Sequence, residues 1–322
     1  MSLFTHLGRA VGWLVLIAGV MGVTWAIGAE GWTDRWGATD DEVAATLPGD
    51  ALIEAPTLVT TRALTVRAPA DGVWPWIVQF GQGRGGLYSY DWLERLFGID
   101  MTSADAILPA EQRITVGDQI WITQPGYPAD LGHVVAEVQP GRALVLASST
   151  PSRPTAPEDA PWTWSFVLRP AGDDTTRLIV RNRNESMGTV GDAVWDRIVT
   201  PIGFAMERRT MLGIAQRAEA AAGVDTGWSG RETVWFGALL ATGAAVLAIA
   251  ATRAPWRRRG AYVTGLTAAA TLVLFRFPSA LAAAALAIFS CVVAVRLRKA
   301  WATAQPPPRT STTRDPGTVP AG

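Results

Sequence analysis

The sequence predicts an α+β domain, a curved antiparallel sheet around a long C-terminal helix, combined with transmembrane helices, one N-terminal and about three C-terminal. Three observations lead there. Residues 10–29 and 233–252 are each 20 residues long and uncharged, and 260–295 is interrupted only by Arg276. Charge is segregated: Glu30 to Glu232 holds 17 basic and 27 acidic residues, net −10, while the remainder holds 11 basic residues and one acid, net +10. The formal net charge of zero therefore hides an acidic middle with basic flanks. Within that middle, segments of period two lie together and are bounded by helical ones, the order of an α+β fold.

The elements follow in chain order. Residues 1–9 form a leader, and 10–29 are long enough to cross a hydrocarbon core of about 30 Å. This apolar run exceeds the 7–15 residues usual in a cleaved signal, so it is expected to remain as an anchor. Residues 30–56, acidic and with few periodic apolar positions, read as a linker with a short helix. Residues 58–66 (LVTTRALTV) are β-branched and strand-like. A helix starts at Pro69-Ala70-Asp71 and runs through Trp74, Trp76, Ile77 and Val78, with Pro75 tolerable only in its first turn. After a glycine-rich loop, 81–86, a short amphipathic helix spans 90–97, with Trp92, Leu93, Leu96 and Phe97 as its apolar face and Trp92 read as core. Strands are expected at 119–124, 132–138, 143–148, 163–169 and 177–183, separated by turns such as Gln139-Pro140-Gly141.

Thr200-Pro201 supplies an N-cap and first helical position for a helix to about Ala222. Trp195, Val199, Ile202 and Met206 make one face of it, bent at Pro201. A folded domain at 57–224 is thereby delimited. Three more spans, 233–252, 260–275 and 277–295, follow, the last two as a hairpin turning at Arg276-Phe277-Pro278. The polar, proline-rich tail 301–322 reads as disordered. With four spans, Arg9, Arg253, Arg257, Arg258, Arg259, Arg296, Arg298 and Lys299 share one side, against Arg35, Arg231 and Arg276 on the other. The positive-inside rule then places both termini in the cytoplasm and the acidic domain outside the cell membrane.

Composition removes several chemistries. One cysteine, Cys291, allows no internal disulfide, and two histidines, His6 and His133, leave no zinc site of the Cys/His or HExxH kind. No metal and no cofactor are expected. The basic flanks match anionic head groups and topology, so nucleic acid is not an expected partner. Gly81-Gln82-Gly83-Arg84-Gly85-Gly86 spells G-x-G-x-x-G, but a Trp-rich helix precedes it where a dinucleotide site needs a strand. It reads better as a tight loop requiring positive φ, or as backbone N–H groups and Arg84 meeting a polar head group.

The stretch Val66-Arg67-Ala68-Pro69-Ala70-Asp71-Gly72-Val73-Trp74-Pro75-Trp76-Ile77-Val78-Gln79 and its continuation to Tyr88-Ser89-Tyr90-Asp91-Trp92-Leu93-Glu94 resemble the SRPBCC (START-like, helix-grip) superfamily, in particular a membrane-anchored bacterial branch. Gly117-Asp118 and Met206-Glu207-Arg208-Arg209 add to the resemblance, which covers about 58–222. It implies a helix-grip fold, polyketide cyclase/dehydrase-like or lipid-transport-like, with a hydrophobic small molecule or lipid in a cavity between sheet and C-terminal helix. A minority of the superfamily are cyclases or dehydratases, and no catalytic motif of it maps onto this chain.

Candidate ligand-binding residues are Trp76, Gln79, Arg84, Tyr88, Tyr90, Asp91, His133, Arg181, Arg183 and Met206. Arg181 and Arg183 alternate along a strand and share a face; concave, that face would select an anion, and convex, it would be solvated. Tyr88, Tyr90, Asp91 and His133 double as acid–base groups if the chain is an enzyme. Against this, Asp91 and Glu94 complement a helix dipole that Ser89 caps. A sensory or partner-binding membrane protein is the third class of reading.

Overall fold

The computed structural model describes residues 3–28, 30–185, 200–224, 228–276 and 279–303. Helix α1 (Leu3–Gly28) leads through two short helices, α2 (Glu30–Thr33) and α3 (Asp40–Ala44), into β1 (Leu58–Val66), α4 (Ala70–Val78) and α5 (Asp91–Leu96). Strands β2 (Gln119–Trp121), β3 (Gly132–Gln139), β4 (Ala143–Ser148), β5 (Trp162–Gly172) and β6 (Thr175–Asn184) follow. Helices α6 (Thr200–Ala221), α7 (Trp228–Ala251), α8 (Trp256–Phe275) and α9 (Ala280–Thr303) complete the order. Trp195, Val199 and the turn residues Phe277 and Pro278 lie outside the described residues, as does the tail beyond 303.

The six strands make one antiparallel sheet in the order β1-β6-β5-β4-β3-β2. Irregularities at Val135/Glu137 and Pro170/Gly172 bend β3 and β5. Alternate residues divide between two faces. Val135, Leu146, Trp164, Phe166, Leu178 and Val180 point toward α4 and α6 and build the main core with Val73, Ile77, Met211 and Ile214. Ala63, Ala143, Val167 and Ile179 point the other way, against Leu47. The expected α+β sheet around a C-terminal helix is therefore the observed one. Two boundaries differ. β2 ends at Trp121, short of Gln124, because the N–H groups of Ile122 and Thr123 both turn to the carbonyl of Leu131. Pro75 lies in the second turn of α4 and so deprives the Asp71 carbonyl of its donor, at a point where Asp71 is exposed.

Residues 30–56 do more than link. Thr61 and Ala63 on the β1 edge donate backbone N–H groups to Asp34 and Trp36, so the segment shields that edge. A capping box, Thr39 with Glu42, then starts α3, and the chain crosses the outer face of the sheet. Its acids partner the outward arginines of β6. Arg177 meets Glu42 at 2.6 Å, and Arg181 meets Asp50 at 2.7 Å. The Arg177 guanidinium, bonded to Glu42, holds that carboxyl below the usual range.

Two ion pairs set α6 on the inner face. Arg62 of β1 donates to Glu207 at 2.6 Å, both side chains buried, and the Arg67 guanidinium meets Glu219 at 3.4 Å, where Glu219 also accepts from the Arg67 backbone N–H at 2.9 Å. From Glu207 to Glu219 the helix climbs about 18 Å, and from Arg62 to Arg67 the strand advances about 17 Å. The near-equal lengths make α6 run parallel to β1.

Among the described residues three helical segments are long and apolar enough to cross a membrane: Ala10–Gly28, Thr233–Ala251 and Ala280–Ala300. The expected arm at 260–275 is not among them, because its uncharged part is only 16 residues long. It forms α8, which nevertheless packs along the bundle. Arg259 at its start lies over the Trp13 ring and caps the α7 carbonyls of Ala250 and Thr252, while Phe275 at its end meets Trp25 edge-on at 4.8 Å. α8 thus runs parallel to α1.

Helix α5 is turned against expectation. Trp92, read from sequence as core, is exposed, as are Leu96 and Phe97 of the same apolar face, and Glu94 is buried with neither carboxylate oxygen hydrogen-bonded among the described residues. Burial, reinforced by the nearby Asp91 charge, pushes Glu94 up to about 7. The unfolded chain loses this proton near 4.5 and the folded chain only near 7. Stability from this group is therefore full below pH ~4.5 and falls as pH rises to ~7, by on the order of 2–3 kcal/mol.

Two measurements check these assignments on the full chain in detergent. Glu94→Gln is expected to raise the unfolding temperature at pH 8 and leave it nearly unchanged at pH 4.5; an unaltered pH trend would contradict the burial of this acid. Glu207→Ala strands Arg62 inside the domain and is expected to destabilise it by about 3–5 kcal/mol, whereas the double change Arg62→Met with Glu207→Leu recovers most of that loss. Equilibrium denaturation of the three proteins reads the difference.

Candidate functional site

The inner face of the sheet changes character toward one end of α6. Its centre is filled by Phe80, Tyr88, Phe166 and Met211, all fully buried. Beyond them the face carries a cluster of rings. Trp162 and Trp164, two apart on β5 and so on the same face, lie 5.9 Å apart and nearly parallel. His133 of β3 meets Trp162 edge-on at 4.5 Å, and Phe80 meets Trp164 edge-on at 5.3 Å. Ser148 sits opposite His133 in the β3–β4 register.

Polar groups around these rings fall into two sets. On one side the chain is complete: Trp162 Nε1 donates to Asn182 Oδ1 at 2.9 Å, Asn182 Nδ2 donates to Glu207 Oε2 at 2.6 Å, and Glu207 holds Arg62. On the other side His133 Nδ1 and Nε2, Ser148 Oγ and Trp164 Nε1 are buried and have no hydrogen-bond partner among the described residues. Burial pulls the His133 pKa down to about 3, so its imidazole is neutral at ordinary pH. A neutral imidazole offers one donor and one acceptor, the indole one donor, and the hydroxyl both. Each such group left unpaired costs roughly 1–3 kcal/mol. Three neighbouring residues with that cost make a surface able to receive an uncharged oxygen or nitrogen function on an otherwise apolar molecule.

The other predicted residues are occupied structurally. Gln79, fully buried, donates to Ala106 O at 3.2 Å and accepts from Leu108 N at 2.9 Å. Arg84 pairs with Glu111 at 2.8 Å and donates to Val78 O, closing the glycine loop on itself; Gly81, Gly83 and Gly86 have the positive φ expected of that loop. Tyr88 donates its hydroxyl to Trp76 O at 3.0 Å, and burial pushes its pKa up to about 12. Asp91 accepts from both the N–H and the hydroxyl of Ser103 at 2.7 Å, and Tyr90 rests on Phe236 of α7. Ser89, expected as the helix N-cap, instead donates to the Met206 carbonyl at 3.3 Å, leaving Tyr90 at the cap position. Gly213 faces the Tyr88 carbonyl, where an added Cβ would come within 2.3 Å, so only glycine lets α6 approach there.

Arg181 and Arg183 are neither cavity-lining nor solvated. They lie on the outer face under the 39–54 segment, Arg181 bonded to Asp50 and to the carbonyls of Glu42, Val43 and Ala45, Arg183 to the Ile53 carbonyl. The four acid–base candidates do not converge. Tyr88 and His133 stand at opposite ends of a chain of rings through Phe80 and Trp164. Trp76 helps line a groove of about 550 Å³ between α4 and α6, together with Asp105, Arg209, Gln216 and Arg217.

Sequence reasoning missed Ser148, Asn182, Arg62 and Glu207. A signal existed for the last two: an arginine in the middle of a β-branched strand, and an acid on the apolar i, i+4, i+7 stripe of Glu207, Met211 and Ile214.

No protein-family model matches the chain, and no curated protein matches it. Solved structures are similar to it at low identity. A Polyketide_cyc-like protein from Corynebacterium glutamicum is 15% identical over 50% of this chain and 87% of its own, with a TM-score of 0.26. The Aha1 dimer from Colwellia psychrerythraea is 13% identical over 50% and 99%, with a TM-score of 0.29. Norcoclaurine synthase from Thalictrum flavum is 16% identical over 52% and 93%, with a TM-score of 0.28. Such likeness concerns fold and not activity. The strand order and the seat of α6 in this chain themselves describe an antiparallel sheet packed on a long C-terminal helix.

Proposed function

We propose that this protein is a membrane-tethered helix-grip module that binds an uncharged apolar small molecule or lipid at the ring cluster of the inner sheet face. The observation that carries the reading is the set of unpaired buried groups on His133, Ser148 and Trp164, between Trp162 and Phe80. Aromatic walls suit a hydrocarbon or ring-bearing body, and the three polar groups suit one hydroxyl or carbonyl on it. A charged ligand is disfavoured, because the nearby cation Arg62 is already paired with Glu207. Entry requires the rings of Trp162 and Trp164 to part.

The tether reading places the domain outside the cell membrane, with both termini cytoplasmic. It rests on the eight basic residues against three at the span ends. The parallel course of α8 and α1 supports it, since a fourth crossing returns α9 to the starting side.

Lipid mass spectrometry on the full chain purified in detergent is expected to find a neutral apolar species that is released on denaturation. The double variant His133→Phe with Ser148→Ala, which removes about two hydrogen bonds, should retain it at least ~10-fold less well. Purified protein that carries nothing and takes up no neutral lipid from vesicles would sink the proposal. For orientation, protease added to intact cells should cut the 57–224 domain; cleavage only after lysis reverses the topology.

A further inference from the structure

The exposed side of α5 is the feature that the binding reading does not use. Trp92, Leu96 and Phe97 are 47%, 72% and 67% exposed, while Glu94 on the opposite side is 4% exposed. Trp92 and Leu96 are one helical turn apart and Phe97 is adjacent, so the three form one ridge. A single exposed apolar side chain calls for no explanation. Three together, on a helix that buries its acid to present them, mark a surface meant for an apolar neighbour.

The place of the ridge identifies that neighbour. The Trp92 ring meets Phe236 edge-on at 5.2 Å, and the Tyr90 ring lies 5.6 Å from it. Phe236 is three residues inside the apolar segment Thr233–Ala251 of α7, or about 5 Å along the helix axis. The 19 residues of that segment span about 28 Å, close to the hydrocarbon core itself, so its start marks the boundary between head groups and acyl chains. Trp92 thus stands just inside that boundary, and Leu96 one turn farther along α5. Trp25, Trp32, Phe204 and Phe275 cluster where α1, α6 and α8 meet, and Trp235 stacks under Arg208 beside Phe236. These are the interfacial aromatics expected where a bundle leaves the bilayer.

We propose that α5 and Phe97 form a foot of the domain that dips into the leaflet facing it, beside α7, with Trp92, Leu96 and Phe97 in contact with lipid. The occupant is the bilayer of this protein's own membrane. The foot rests on the membrane-spanning reading of α1, α7, α8 and α9 and adds a second, non-spanning contact to it. It holds the domain in one orientation over the bilayer, against the repulsion that its acidic composition meets from anionic head groups.

Nitroxide scanning in proteoliposomes tests this. In a Cys291→Ser background the full chain is labelled at Leu96→Cys, at Phe97→Cys, at Val116→Cys on the exposed domain surface, and at Leu247→Cys on the exposed side of α7. Accessibility to oxygen and to a water-soluble nickel chelate is then compared. The expected result is an oxygen-to-nickel ratio at Leu96 and Phe97 several-fold above that at Val116 and approaching that at Leu247. Water-like values at both foot positions, with Leu247 lipid-like, overturn the foot and leave the spans intact. Water-like values at Leu247 as well overturn both readings. Low accessibility to both reagents, with dipolar broadening that disappears on dilution with unlabelled protein, means a second copy covers the ridge and also overturns the foot. Circular dichroism and gel filtration of each variant confirm that the label reports on folded protein.

Discussion

The buried pair of Arg62 and Glu207 is the contact on which the rest of the architecture turns. Arg62 makes three contacts at once: the Thr33 carbonyl at the end of α2, and on α6 the Glu207 carboxylate and the face of Phe204. Phe204 in turn belongs to the cluster of Trp25 and Phe275 at the ends of α1 and α8. One guanidinium therefore ties sheet, gripping helix and membrane-proximal aromatics together. Such a pair stabilises little in net terms, because both ions are taken out of water. Its effect is on placement, since any other seat of α6 leaves two charges buried and unmatched.

That placement also shapes the ring cluster. Glu207 accepts from Asn182, and Asn182 accepts from Trp162, so the position of one indole follows from an ion pair two bonds away. The polar chain is satisfied up to Trp162 and unsatisfied beyond it, at Trp164, His133 and Ser148. The two sides of the ring cluster therefore differ in how far their buried polar groups are paired. The outer face of the sheet is resolved differently, by a segment of its own chain whose carbonyls and carboxylates meet Arg177, Arg181 and Arg183.

Much of the fold was legible because the relevant periodicities are local. Strands β4, β5 and β6 fall close to where alternation and turn residues put them, and the helix expected to run to about Ala222 ends at Ala221. The candidate site was legible only in part. His133 could be named, but which group stays unpaired depends on neighbours across three strands. Gln79, Arg84 and Asp91 look chemical in the sequence and prove to be bound to nearby backbone or to Ser103. Helix α5 carries its apolar side chains outward and Glu94 inward, and an apolar stripe alone does not say which face of a short helix the neighbouring segments cover.

The sequence by itself determined the division into charged middle and apolar flanks, the α+β class, and the existence of a long closing helix. These depend on residue spacing and on charge-free length, which are properties of short stretches. Tertiary structure alone decided that the acidic 30–56 segment is a strap, that Arg181 and Arg183 face it, that α5 buries Glu94 and shows its tryptophan, and that His133 lies neutral among rings. Each of these depends on which of two faces a residue turns to and on what distant segment covers that face, and no local pattern carries that information.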